Sequence, residues 1–145
     1  MLLTKAVLDG TYENSYWLPY KDFLDVSDNF TEFSCERLEG KEEYISLIEN
    51  LLHADETAQV FVEVYGLEQD QNDQWIYGET LIIFSQLSIE EIKQILNKDT
   101  RAFPSEIGRL SPADQKYFII NESGSLAPAL SSTSNSHTIY YCWWD

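Results

Sequence analysis

The spacing of apolar positions changes several times along the chain, and each change marks a new element. In Glu42 to His53, Ile45, Ile48, Leu51 and Leu52 recur at helical spacing, while Glu42, Glu43, Ser46, Glu49 and Asn50 fall largely elsewhere on the wheel. Gly40 precedes this segment, and Glu42 and Glu43 suit the positive N-terminal end of a helix. From Gln59 to Leu67 the period drops to two: Val60, Val62 and Val64 alternate with Phe61, Glu63 and Tyr65, as in a strand. The polar run Glu68 to Gln74 reads as a loop joining this strand to a return strand, Trp75 to Ser85. The continuous apolar stretch Leu81 to Phe84 predicts a central strand covered on both faces. Ser88-Ile89-Glu90-Glu91 matches a capping box, with Ile89, Ile92, Ile95 and Leu96 as the buried stripe of a helix ending near Asn97 to Asp99.

The flanking segments carry weaker patterns. Asp9-Gly10 between Leu2–Leu8 and Thr11–Trp17 is a hairpin signal, Pro19 interrupts the chain, and Phe23 to Phe33 reads as an irregular or short helical link. Ser111-Pro112 suits a helix start, but that helix must be short because Tyr117 to Ile120 reads as a strand. Glu122-Ser123-Gly124 predicts a turn and Ser131 to Ser136 a loop. His137 to Trp144 alternates Ile139, Tyr141 and Trp143 against Thr138, Tyr140, Cys142 and Trp144, which predicts a last strand. With no internal repeat, the pattern predicts one α+β domain over 1–145. A mostly antiparallel sheet of four to six strands would pack with two or three helices.

Composition narrows the classes. Hydrophobic residues make up 43% of the chain and aromatics 14%, enough apolar surface to fold. No apolar run, Leu81 to Phe84 included, approaches the length of a membrane span. Met1 to Gly10 holds a single Lys and no long apolar stretch, so no signal peptide is expected and a cytoplasmic location is. The 25 acids outnumber the 9 bases, giving a formal net charge of −16. That balance argues against nucleic acid and anionic membrane as direct ligands, since both require Lys and Arg clusters. It leaves a basic protein partner, or solubility alone. Between Lys41 and Lys93 there is no Lys or Arg, and twelve acids lie there, from Glu42 to Glu91.

Recognisable catalytic chemistry is sparse. Cys35 and Cys142 lack CxxC spacing, so two free buried thiols are expected rather than a zinc site. His53 suits a helix C-terminus, and His137 lies five residues before Cys142 along a strand, which sends the two side chains to opposite faces. Glu68, Asp70 and Asp73 share a short segment but lack the glycine bend and closing glutamate of a calcium loop. There is no phosphate-binding glycine loop, and among 25 acids the existence of carboxylate pairs discriminates nothing. The expectation is no catalytic residue, no cofactor and no metal.

Aromatics beside acids are the remaining signal, because Tyr and Trp next to carboxylates suit an arginine-rich partner. The candidate contact residues are Asp55, Glu56, Glu68, Asp70, Asp73, Trp75 and Tyr77 in the acidic middle, with Tyr140 and Trp144 from one face of the last strand. Tyr12, Tyr16, Trp17 and Tyr20 form a second cluster near Asp22 and Asp25. In size, charge and aromatic clusters over its whole length, the chain resembles the bacterial immunity proteins that neutralise polymorphic or contact-dependent toxins. The likeness is of class and not of motif. It implies a non-enzymatic inhibitor that covers the basic site of a toxin, for example a nuclease, through complementary charge. A protein–protein adaptor, or a small enzyme using carboxylates, are the alternatives.

Overall fold

In a computed structural model, the chain forms an α+β fold around a mixed sheet. The structure describes residues 15–24, 31–33, 41–70, 73–98, 103–110, 117–120, 126–129 and 137–144; for 31–33, 65–70, 73–76 and 126 it describes the backbone alone. The strands are β1 (Ser15–Pro19), β2 (Thr31–Phe33), β3 (Gln59–Asp70), β4 (Asp73–Ser85), β5 (Glu106–Arg109), β6 (Tyr117–Ile120), β7 (Leu126–Pro128) and β8 (Thr138–Trp143). The helices are α1 (Tyr20–Phe23), α2 (Lys41–Ala54) and α3 (Ile89–Leu96). Seven strands run in the order β5-β8-β4-β3-β1-β6-β7, and β2 pairs with β4 beside this path. The β1–β6 and β2–β4 pairs are parallel and the others antiparallel.

The elements with strong local signals form as the pattern predicts. Helix α2 covers the predicted segment with Glu42 and Glu43 in its first turn, but its buried face is Tyr44, Leu47, Ile48 and Leu51, with Ile45 and Leu52 of the expected stripe half-buried at its edge. The capping box opens α3: Ser88 Oγ accepts from the Glu91 N–H, and Glu91 Oε1 accepts from the Ser88 N–H, both at 3.2 Å. Leu81 to Phe84 is buried and lies in the middle of the sheet, with β3 on one side and β8 on the other. The sheet has more strands than the expected four to six because β2, β5 and β7 are three or four residues long. Such short segments carry no readable alternation, and the partners of β2 and β5 are distant in sequence. The predicted hairpin arm Leu2–Leu8, the Ser111-Pro112 helix start, the Glu122–Gly124 turn and the Ser131–Ser136 loop lie outside the described residues.

The chief correction concerns Glu68 to Gln74. It is not a loop. β3 runs on to Asp70 and β4 begins at Asp73, with Glu68, Gln69 and Asp70 opposite Trp75, Gln74 and Asp73. Polar composition lowers strand propensity, but a ladder continues wherever the two backbones stay in register. The register holds because the irregularity between Glu63 and Gly66 places one extra residue on each strand, Glu79 on β4 and Tyr65 on β3, and the offsets cancel. Gly78 sits at this crossing because nothing larger fits: a Cβ there would lie 2.6 Å from Val62 Cγ1 and 2.9 Å from the Glu63 carbonyl oxygen.

Apolar side chains pack on both sides of the sheet. On one side, α2 and α3 close over Leu18, Val60, Val62, Leu81, Ile83, Tyr140, Cys142 and Trp144. On the other, Trp17 packs among Phe61, Phe84 and Tyr117, with ring centroids 5.0 to 6.2 Å apart, beside Ile82, Ala129 and Ile139. None of the described helices is long and apolar enough to cross a membrane.

Candidate partner-binding surface

The structure separates the sequence-predicted contact residues into four locations. Asp55 and Glu56 lie in the turn between α2 and β3. Glu68 and Asp70 lie at the far end of β3, with Trp75 and Asp73 as their cross-strand partners on β4. At about 3.3 Å per residue, Gln59 and Asp70 stand roughly 35 Å apart along one strand, so Asp55 and the hairpin end are not one patch. Tyr77 falls between them. It is half-buried, opposite Gly66 on one side and Glu32 of β2 on the other.

Asp55 is a structural latch and not a contact residue. It is 8% exposed. Its Oδ1 accepts from the Thr57 N–H at 3.0 Å and the Thr57 hydroxyl at 2.6 Å; its Oδ2 accepts from the Ser85 hydroxyl at 2.7 Å and the Gln86 N–H at 2.8 Å. The α2–β3 turn is thereby tied to the β4–α3 turn. Burial by itself raises the pKa of this carboxyl, but hydrogen bonds from Thr57, Gln86 and Ser85 outweigh it and bring the value down to about 2. A carboxylate this stabilised is a poor proton acceptor. The Thr57 hydroxyl also lies 3.0 Å from His137 Nε2. Its own proton is directed to Asp55, so it accepts from the imidazole and is not activated as a nucleophile. Glu56, one residue further on, is exposed.

Tyr140 and Trp144 are corrected as well. They are 1% and 0% exposed and belong to the helix-side core. The Tyr140 hydroxyl donates to the Leu87 carbonyl at 2.7 Å, and Trp144 meets Tyr44 edge-on, with ring centroids 6.2 Å apart. The other parity of β8 is the more open one: Tyr141 and Trp143 are half-buried. Alternation alone could not choose between two aromatic faces. Cys142 was the one available signal, because it shares parity with Tyr140 and Trp144 and cysteine is among the most often buried residues. Cys142 is fully buried, and burial pushes its thiol pKa well up, so it stays protonated. Cys35 lies outside the described residues. Tyr16, Trp17 and Tyr20, from the second aromatic cluster, are core residues too.

The surviving acidic feature is the hairpin end. β1 pairs with β3 only from Phe61 to Val64, and β2 pairs with β4 only from Ile76 to Gly78. From Glu68/Trp75 to Asp70/Asp73 the ribbon is therefore two-stranded among the described residues. Asp70 and Asp73 stand directly opposite each other, an arrangement that like charges disfavour. Among the described residues no group of three or more His, Cys, Asp or Glu side chains could hold a metal ion. No protein-family model, curated protein or solved structure matches this chain.

Proposed function

We propose that this protein is an acidic binding protein that neutralises a basic protein partner, most concretely an immunity protein that inhibits a bacterial toxin. One observation carries the reading. Between Lys41 and Lys93 there is no Lys or Arg, and among the described residues part of this stretch continues as a two-stranded ribbon whose end brings Glu68, Asp70, Asp73 and Trp75 into register. Negative charge on an extended arm, in a chain of net charge −16, steers a basic partner and speeds its capture. Two residues singled out in the sequence are engaged in the fold: the contact candidate Asp55 by four hydrogen bonds and the Cys142 thiol by full burial.

The test compares wild type with a variant carrying Glu68→Lys, Asp70→Lys and Asp73→Lys. A charge-matched control carries Glu42→Lys, Glu49→Lys and Glu90→Lys at exposed helix positions. Immobilised wild type is used to capture a partner from source-cell lysate at low salt, and association kinetics are then measured with the purified partner. The reading expects a basic protein whose toxic activity is suppressed by one equivalent of wild type. It also expects association several-fold slower with the hairpin variant than with the control. A neutral or acidic partner, an uninhibited one, or equal rates for the two variants would overturn it.

A further inference from the structure

The sheet face opposite the helices is packed over its middle and more open along one row. The ladders set Glu106, Trp143, Thr80 and Glu63 side by side across β5, β8, β4 and β3. Directly paired residues share a face, so these four side chains leave the sheet in the same direction. Glu106 is exposed and the other three are half-buried. With strands about 4.8 Å apart, Glu106 stands one strand from Trp143, and Glu63 stands two strands away on its other side. Each carboxylate is oriented by a hydroxyl. Tyr141 donates to Glu106 Oε1 at 2.8 Å, and Ser15 donates to Glu63 Oε2 while accepting from Trp17 Nε1 at 2.9 Å. Gly108 allows the first arrangement: the Tyr141 ring and hydroxyl would lie 3.0 to 3.1 Å from a Cβ at that position. One such bond leaves an ionised carboxylate with further acceptor sites.

We infer that this row is a cation-binding strip and that its occupant is an arginine side chain of a basic protein, stacked on Trp143 and paired with Glu106. Tryptophan offers the best aromatic face for a cation. A guanidinium is planar and weakly hydrated, so it can stack on the indole and still present a fork of N–H donors to the carboxylate beside it. A lysine ammonium, compact and strongly hydrated, does not combine the two contacts as well. Glu63 extends the negative potential across the next two strands. The inference rests on the partner being basic, but it places a contact roughly 20 Å along β3 from the Asp70 end of the hairpin.

The test uses the full chain labelled with ¹⁵N and a blocked hexa-arginine peptide, titrated at low ionic strength and followed by NMR; hexa-citrulline is the uncharged control. The Trp143 indole signal is assigned with Trp143→Phe. The expected result is a saturable shift of that indole and of the Thr80 and Glu106 amides with hexa-arginine only. Glu106→Gln and Trp143→Leu should each weaken binding several-fold while leaving the rest of the spectrum in place. Tyr141→Phe should weaken it less, because it removes only the group that orients Glu106. Shifts confined to the hairpin, residues 66–78, would overturn the strip and leave the acidic-binder reading standing. Shifts confined to the strip would support it and remove the hairpin as a contact. An equal response to hexa-citrulline, or no saturable response at Trp143, would overturn the strip.

Discussion

Replacing Asp55 gives the sharpest test of how this fold is held together. Its two oxygens accept four hydrogen bonds, two from Thr57 and one each from Ser85 and Gln86. An amide has one oxygen, so in Asp55→Asn one pair of donors faces an NH2 group whichever way it turns. The Ser85 hydroxyl, 1% exposed, also accepts from the Leu87 N–H at 3.0 Å, which fixes its orientation and directs its proton at Asp55. The carboxyl titrates at about 2 in the fold, against 3.8 ordinarily. At about 1.4 kcal/mol per pH unit, that difference is worth about 2 kcal/mol of stability. Leaving the Ser85 proton unsatisfied costs about 1–3 kcal/mol, part of which is the same interaction counted from the donor side. Asp55→Asn and Asp55→Ala should therefore each cost about 2–4 kcal/mol at pH 7, measured by urea unfolding. Because the folded pKa is depressed, the contribution is fully present above the unfolded value and is lost as pH falls through about 4 toward 2. The many other carboxylates titrate in wild type and variant alike, so the difference between the two isolates this group. That difference should shrink by about 2 kcal/mol between pH 6 and pH 2. A gap that stays constant over this range, or an Asn variant as stable as wild type, would refute the latch.

Gly78→Ala should destabilise the protein by about 1–3 kcal/mol in the same assay, because its Cβ would meet Val62 and the Glu63 carbonyl below contact distance; a neutral result would mean the β3–β4 crossing relaxes freely. Tyr140→Phe should cost about 1 kcal/mol by stranding the Leu87 carbonyl, and should leave partner association unchanged because the side chain is buried. A slowed association with unchanged stability would restore Tyr140 as a contact residue.

Both the capping box at Ser88 and the helical stripe in α2 were legible in the sequence because their signals are carried by residues within four positions of each other. The alternation of Val60 to Tyr65 and the unbroken run Leu81 to Phe84 likewise declared two strands and a sheet covered on both faces. Charge was equally plain: the −16 balance and the stretch without Lys or Arg are read directly from the residues.

What the sequence left open depends on partners far along the chain. Asp55 looked like one more surface acid because its ties to Ser85 and Gln86 join residues 30 and 31 positions apart. The hairpin end looked like a loop because pairing, and not propensity, carries β3 to Asp70. Glu63 and Glu106 drew no notice until β8 and β4 set Trp143 and Thr80 between them. The sequence by itself determined the strongly periodic elements, the α+β class and the acidity, since local periodicity and charge count require no knowledge of neighbours. Tertiary structure alone decided which aromatic face of β8 is open and which acids share a surface, because those are matters of strand register, and register is set by long-range pairing.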